Sequence, residues 1–196
     1  MSQVVVVFHS VLGLRPAIHK FAEYLREKGH TVYTPDSFDG ETFNTIDEGA
    51  RKRDSLGIPE LINRAWAAVS KLPNDIVYAG FSLGAAPAEL LAGTRPGARA
   101  AILMHGAIPL QMMGVAQWPS VPVQIHYSPN DPWVEAQEVE SFSKSVRASA
   151  QTCEIFQYPG KGHLFDDNGS SDYDAVASIT MRERVAHFLK GLSVSQ

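Results

Sequence analysis

The sequence has a single cysteine, no long apolar run and no marked excess of charge. That cysteine, Cys153, excludes an internal disulfide framework and any metal site built from several thiolates. The longest apolar run near the start, Val4 to Phe8, is too short for a membrane span or a signal-peptide core, and it lacks a basic lead-in. We therefore expect a cytoplasmic protein that does not enter the membrane.

Several function classes lack their characteristic motifs. With 17 basic against 21 acidic residues and no basic stripe, nucleic acid is not an expected partner. The chain contains neither H-E-x-x-H nor a cysteine pair, so we expect no metal and no other cofactor. The loop after the first apolar run holds the single Gly13 and matches no phosphate-binding motif, which argues against a nucleotide-binding domain.

The apolar pattern is that of an α/β protein. Short β-rich runs alternate with stretches of helical spacing, which predicts a mostly parallel sheet with helices on both faces. The expected strands are Val4–Phe8, Thr31–Thr34, Ile76–Gly80, Ala100–His105, Val121–Tyr127 and Glu154–Tyr158. No repeat or linker divides residues 1–196, so we expect one domain. The polar stretch from Asp36 to Pro59 lacks clear periodicity and is either a minimal cap at the pocket edge or an ordinary surface excursion.

The third expected strand runs into Gly80-Phe81-Ser82-Leu83-Gly84, which matches G-x-S-x-G between a strand and a helix of small residues. In this turn the serine backbone is strained, and glycines on either side avoid collisions with the neighbouring strand and helix. The motif predicts Ser82 as a nucleophile at the carboxyl edge of the sheet. The N–H of Leu83 then becomes a candidate oxyanion donor.

A serine nucleophile needs a histidine base and an acid that orients it. Of seven histidines, His163 follows the last strand through a glycine-rich loop and comes after Ser82 in the chain, as this motif requires. Asp131, directly after the fifth strand, is the predicted acid, with a turn or helix cap as its alternative role. Asp166 and Asp167 are lower-ranked rivals.

The loop after the first strand completes the predicted site. It should supply a second oxyanion donor, for which we choose the N–H of Val11. The candidate pocket residues lie at strand ends or in the polar stretch, although residues of these types are as often plain core. They are Ser10, Phe38, Phe43, Met104, His105 and Trp133.

These motifs together resemble the dienelactone hydrolase family of the α/β-hydrolase superfamily. The resemblance spans almost the whole chain. It is carried by Phe8-His9-Ser10-Val11-Leu12-Gly13-Leu14-Arg15, Tyr33-Thr34-Pro35-Asp36, the Ser82 turn, Asp131-Pro132-Trp133-Val134 and Gly160-Lys161-Gly162-His163. It implies an α/β-hydrolase fold, a triad of Ser82, Asp131 and His163, and oxyanion donors at Val11 and Leu83.

The sequence departs from the family pattern at two places. The best-known members use a cysteine nucleophile controlled by a glutamate in the first-strand loop, whereas this chain has Ser82 and, at the loop position, Ser10. Those members also hold a substrate carboxylate with arginines, and here Arg15, Arg51 and Arg53 lie in plausible regions without a matching motif. We therefore expect a serine-nucleophile variant.

Taken together, the sequence predicts a serine hydrolase that cleaves a small carboxylic ester or lactone through an acyl-enzyme on Ser82. A monomer or small homo-oligomer is expected. The alternative is a small-molecule binding protein on a hydrolase scaffold, with slow or vestigial turnover, because a fold does not dictate its function.

Overall fold

The protein is described by a computed structural model covering residues 2–149, 151–160 and 162–192. Its strands form one sheet in the order β2-β1-β3-β4-β5-β6, and every neighbouring pair is parallel. The predicted parallel sheet is confirmed, with strand ends within two residues of those expected. The strands are β1 (Val4–Phe8), β2 (Thr31–Tyr33), β3 (Ile76–Phe81), β4 (Ala100–Met104), β5 (Val123–Tyr127) and β6 (Cys153–Gln157).

Helices cover both faces of this sheet, as predicted. They are α1 (Pro16–Glu27), α2 (Ile46–Leu56), α3 (Ile58–Val69), α4 (Ala85–Thr94), α5 (Ala136–Ala148) and α6 (Ala175–Gly191). Apolar side chains of α1 and α6 pack on one face, and those of α3, α4 and α5 pack on the other. This is the arrangement of an α/β-hydrolase.

Strand β1 shows how the sequence builds two cores at once. Val5 and Val7 face the layer of α1 and α6, whereas Val6 and Phe8 face the opposite layer. Successive side chains of a strand point to opposite faces, so a central strand covered on both sides must be apolar throughout. The continuous run Val4–Phe8 is therefore the pattern of a strand in the middle of the sheet.

The stretch from Asp36 to Pro59 is more regular than its polarity indicated, because it contains α2. This helix begins with a capping box: the Thr45 side chain accepts from the Glu48 N–H, and the Glu48 carboxylate accepts from the Thr45 N–H. Gly49 is its one buried residue. Neither alternative for this stretch included a helix, because α2 carries no apolar stripe and its start is marked only by the capping box.

Parallel pairing brings the loops after β1, β3, β4, β5 and β6 to one edge of the sheet. Ligand sites of open α/β sheets lie at this carboxyl edge. Within the residues described, no helix combines the length and the apolar composition needed to cross a membrane.

Candidate active site

Three loops at the carboxyl edge bring Ser82, His163 and Asp131 into one hydrogen-bonded row. The Ser82 hydroxyl lies 2.7 Å from His163 Nε2, and His163 Nδ1 lies 2.6 Å from Asp131 Oδ2. Ser82 follows β3, Asp131 follows β5 and His163 follows β6. The structure therefore brings together the three residues that the sequence singled out.

The turn after β3 holds Ser82 in a conformation that few residues adopt. Its φ is +50°, in the left-handed region that is costly for a residue with a Cβ. A Cβ on Gly80 would overlap the carbonyl oxygen of Gly84, and one on Gly84 would overlap the carbonyl oxygen of Phe8. The two glycines are thus required by close backbone approach, which lifts the Ser82 hydroxyl above the sheet.

The carboxylate of Asp131 is fully buried and fixed through both oxygens. Oδ2 accepts from His163 Nδ1–H, and Oδ1 accepts from the backbone N–H of Trp133 at 2.9 Å. With its Nδ1 proton engaged, a neutral His163 leaves the lone pair of Nε2 directed at the Ser82 hydroxyl. This is the tautomer that can accept the serine proton.

Val11 and Leu83 lie beside Ser82 in the lining of the same cavity. Leu83 is in the turn that opens the helix after the elbow, where backbone N–H groups lack partners within the helix. The preceding Ser10 is buried, and its hydroxyl accepts from the Leu12 N–H at 3.2 Å. Both residues predicted to supply oxyanion donors therefore line the cavity that Ser82 lines.

His9 fixes the backbone just before Val11. Its Nδ1–H donates to the Ser10 carbonyl at 2.7 Å, and its Nε2 accepts from the Ser37 N–H at 2.9 Å. Burial lowers the pKa of His9, although the bond to Ser10 and the charge of Asp36 oppose the shift. A neutral His9 thus ties the loop after β1 to the loop after β2.

The cavity above Ser82 has a volume of about 210 Å³. Of the predicted pocket residues, His105 and Trp133 line it, and Trp133 keeps 54% of its surface exposed. The structure does not place the other four along this cavity. Ser10 is buried in its own loop, Phe38 packs edge-on against His9 and Phe43, and Met104 belongs to the core beneath the sheet.

The two rival acids have other partners. Asp166 accepts from His105 Nε2–H at 2.6 Å, and Asp167 pairs with Arg15 at 3.2 Å. Neither carboxylate takes the place of Asp131 on His163. Among the other histidines, His19 and His187 are exposed, His30 accepts from the Gln3 N–H, and His126 is a satisfied core residue whose pKa burial lowers to about 3.

With this geometry in place, comparison with known proteins identifies the family. A sequence model of the dienelactone hydrolase family matches residues 1–193. The chain belongs to that family. A protein of Escherichia coli (strain K12), provisionally named a carboxymethylenebutenolidase, is 24% identical over 208 residues, covering 95% of this chain and 76% of the relative. The family resemblance inferred from the motifs is confirmed, and with it the assignment as a hydrolase.

Two solved structures share the fold of this dienelactone hydrolase family member. A dienelactone hydrolase-like promiscuous phosphotriesterase from metagenomic libraries has a TM-score of 0.81 and 21% identity, over 97% of this chain and 86% of its own. Thermogutta terrifontis esterase 2, phosphonylated by sarin, has a TM-score of 0.74 and 16% identity, over 97% and 84%. At these identities the likeness establishes the α/β-hydrolase fold.

The three arginines singled out in this family member differ in position. Arg15 is largely buried and donates to the Phe43 carbonyl at 3.0 Å in addition to its pair with Asp167. Arg53 lines the cavity from α2 and bonds Asp54, whereas Arg51 on the same helix is exposed. Arg53 is therefore the arginine of the three that reaches the cavity, where Glu135 and Glu138 also lie.

The arrangement favours hydrogen bonding over metal binding. Donor atoms of His105, Asp131 and His163 lie within 4.8 Å of one another. However, Asp131 and His163 are bonded to each other, and His105 is bonded to Asp166. A metal ion held by Asp131 and His163 would have to displace a hydrogen bond of each residue, whereas His105 Nδ1 has no partner among the residues described.

The stretch from Asp36 to Pro59 reaches the pocket edge, which was one of its two predicted roles, although helix α2 itself was not predicted. Ile46, Ala50 and Arg53 line the cavity from this helix, and a Cβ on Gly49 would overlap the carbonyl oxygen of Val11. The helix therefore rests on the loop that carries a predicted oxyanion donor. Its sequence signal was the Thr45-x-x-Glu48 capping box.

A buried acid behind the cavity was also missed. Glu89 on α4 is inaccessible to solvent, and its Oε2 accepts from the N–H of Ile108, a cavity-lining residue, at 2.9 Å. Burial raises the pKa of Glu89 well above its usual range. Glu89 thereby holds the loop after β4 against the helix that follows the elbow.

Proposed function

We propose that this protein is a serine hydrolase that cleaves a small carboxylic ester or lactone through an acyl-enzyme on Ser82. The observation that carries the proposal is the hydrogen-bonded row of Ser82, His163 and Asp131, of which Ser82 and His163 line a cavity. A nucleophile, a base and an orienting carboxylate within hydrogen-bond distance of one another are what acyl transfer requires.

The first half of the reaction acylates the enzyme. Ser82 Oγ attacks the carbonyl carbon while His163 Nε2 accepts the hydroxyl proton. The bond to the leaving alcohol then breaks, and His163 returns the proton to the alkoxide oxygen. A water molecule then hydrolyses the acyl-enzyme: His163 Nε2 takes a proton from the water while the water oxygen attacks the acyl carbon. The acyl–Oγ bond breaks, His163 returns the proton to Ser82 Oγ, and the free acid leaves.

Two backbone donors stabilise the charge that develops on the carbonyl oxygen. The N–H groups of Val11 and Leu83 serve this role, since both residues border the cavity beside Ser82. Losing one donor in comparable sites costs roughly a hundred- to a thousandfold in turnover. Asp131 keeps the Nδ1 proton in place and stabilises the imidazolium that forms in each half-reaction.

The size and walls of the cavity favour short substrates. Its volume of about 210 Å³ lies below the roughly 300–1,000 Å³ that drug-sized ligands occupy. The walls combine apolar side chains, Ile46, Leu83 and Trp133 among them, with the charged side chains of Arg53, Glu135 and Glu138. The Escherichia coli relative is named for a lactone substrate and the Thermogutta terrifontis neighbour for esterase activity. A short ester or small lactone is consistent with both names.

We propose that the protein is cytoplasmic and acts as a monomer or small homo-oligomer. The free thiol of Cys153 supports the location, because reducing compartments keep thiols unpaired.

The test is covalent labelling together with turnover. The protein is incubated with a fluorophosphonate probe and with p-nitrophenyl acetate, alongside Ser82→Ala and the control Ser70→Ala, an exposed serine at the end of α3. We expect labelling at Ser82 and a loss of turnover on the order of a thousandfold or more in Ser82→Ala alone. Equal hydrolysis by both variants would reject the proposal, whereas a wild-type protein that is neither labelled nor active would favour the binding protein.

The orienting acid is tested in the same assay. Asp131→Asn should keep the fold but lose turnover on the order of a thousandfold or more, because the amide stabilises the wrong imidazole tautomer. Asp75→Asn, at the opposite edge of the sheet, removes the same charge and should leave the rate unchanged. A normal rate in Asp131→Asn would assign the acid to another residue.

A further inference from the structure

A second buried imidazole–carboxylate pair lies next to the triad. His105 follows β4, and Asp166 lies three residues beyond His163, with 2.6 Å between Nε2 and Oδ1. Their side chains are 0% and 3% exposed. The pair joins the loop after β4 to the loop that carries His163, across 61 residues of sequence.

His105 also contacts His163 directly. The two rings meet edge to face with centroids 5.5 Å apart, and the ring of Phe165 packs on His105 at 4.9 Å. The backbone of His105 has a φ of +64°, a conformation that persists only where the surroundings enforce it. The imidazole of His163 is therefore held by Asp131 on one side and by the His105 ring on another.

The hydrogen bonds indicate which member of the pair carries charge. Nε2–H of His105 donates to Asp166, while Nδ1 is buried and has no partner among the residues described. A second proton on Nδ1 would be a buried donor without an acceptor, which is costly. His105 is therefore neutral, and the charge of Asp166 is not cancelled within the pair.

The other charges around His163 do not duplicate this arrangement. Asp131 bonds its Nδ1 directly, and Asp167 is neutralised by Arg15. Three further charged groups lie in the cavity lining, on α2 and at the start of α5: Arg53, Glu135 and Glu138. The carboxyl of Asp172 lies against the backbone of Gly162, next to His163, but Asp172 is exposed to solvent, which screens its charge.

We propose that Asp166 and His105 are positioning residues that hold the His163 loop and stabilise the imidazolium formed when Ser82 loses its proton. This inference rests on the proposed hydrolase function. The pair braces the loop through the Nε2–Oδ1 bond and through the edge contact between the two rings. Asp166 also adds a negative charge behind His163, which favours the protonated ring as the transition state forms.

The variant Asp166→Asn removes the negative charge but keeps the hydrogen bond to His105, because the asparagine oxygen can still accept from His105 Nε2–H. Without the anion, His163 takes up a proton less readily. The acidic limb of the kcat/KM profile for p-nitrophenyl acetate should therefore move to lower pH by about half a unit or more. We expect kcat to fall about tenfold. A residue that only supports the fold would leave the limb in place. Asp75→Asn, which makes the same change of net charge, should leave both the acidic limb of the profile and kcat unchanged.

Two His105 variants test the inference by a second route if Asp166→Asn folds poorly. His105→Leu leaves Asp166 buried without a donor, so the carboxyl becomes protonated and the limb should move in the same direction. His105→Gln keeps a donor to Asp166, so the limb should stay in place. Circular dichroism checks that each variant is folded.

The outcomes separate this inference from the proposed function. If Ser82→Ala retains hydrolysis, the function itself is wrong. If Ser82→Ala is inactive while folded Asp166→Asn and His105→Leu keep the wild-type limb and kcat, only the positioning role is overturned. A limb shift in both of these variants, absent in His105→Gln, supports it.

Discussion

The buried acid Glu89 gives a direct test of the electrostatics behind the cavity. One carboxyl oxygen accepts from the Ile108 N–H, and the other is buried without a partner in the described part of the chain. The variant Glu89→Gln keeps an acceptor for Ile108 and cannot ionise. It isolates the cost of forming a charge at this position.

The magnitude follows from linkage between protonation and folding. Burial raises the pKa of Glu89 in the folded chain well above its value in the unfolded chain, so the folded state holds this proton more tightly. The free energy of unfolding therefore falls as pH rises from the ordinary carboxyl range to the folded pKa. The slope reaches about 1.4 kcal/mol per pH unit. Glu89→Gln lacks this dependence, and its stability relative to wild type should rise with pH by up to that amount.

Urea denaturation followed by tryptophan fluorescence measures the difference in unfolding free energy between Glu89→Gln and wild type at several pH values from about pH 5 to about pH 7. Glu23→Gln, an exposed position on α1, is the matched control and should show no such trend. A constant difference between Glu89→Gln and wild type across this range would refute the reasoning. It would mean that Glu89 ionises in the folded protein as readily as in the unfolded chain.

Two further predictions concern α2 and the thiol. Gly49→Ala places a Cβ against the Val11 carbonyl, so it should cost about 1–3 kcal/mol of unfolding free energy and lower kcat, whereas Ser55→Ala on the same helix should change neither. A normal kcat in Gly49→Ala would show that Val11 does not depend on α2. Burial raises the pKa of Cys153 to about 11, so at about pH 8 iodoacetamide should modify it about a hundredfold more slowly in the folded chain than in urea. Equal rates would contradict this assignment.

The sheet and the Ser82 turn were predictable because their signals are local. A central strand covered on both faces must be continuously apolar, as Val4–Phe8 is, and the elbow requires glycine where backbones touch. The place of Asp131 directly after the fifth strand, together with its order between Ser82 and His163 in the chain, then ranked it above Asp166 as the partner of His163. The hydrogen bonds agree with that order.

The features that the sequence did not predict depend on the direction in which a side chain points or on contacts between residues distant in the sequence. Position at a strand end puts Ser10 at the correct edge of the sheet, but it does not reveal that its hydroxyl turns toward the Leu12 N–H. Phe38 likewise follows β2 but packs inward against His9. The bond between His105 and Asp166 joins two loops that are distant in the sequence, so it could not be predicted from the neighbours of either residue.

The position of helix α2 affects how the substrate specificity of this enzyme could change. The helix contributes almost nothing to the two cores, yet Ile46, Ala50 and Arg53 border the space above the nucleophile. Substitutions on that side can alter which molecules are admitted while the folding energy, which comes from the sheet layers, is left nearly intact. New specificities are therefore most accessible to evolution or design through this helix, provided that Gly49 is retained.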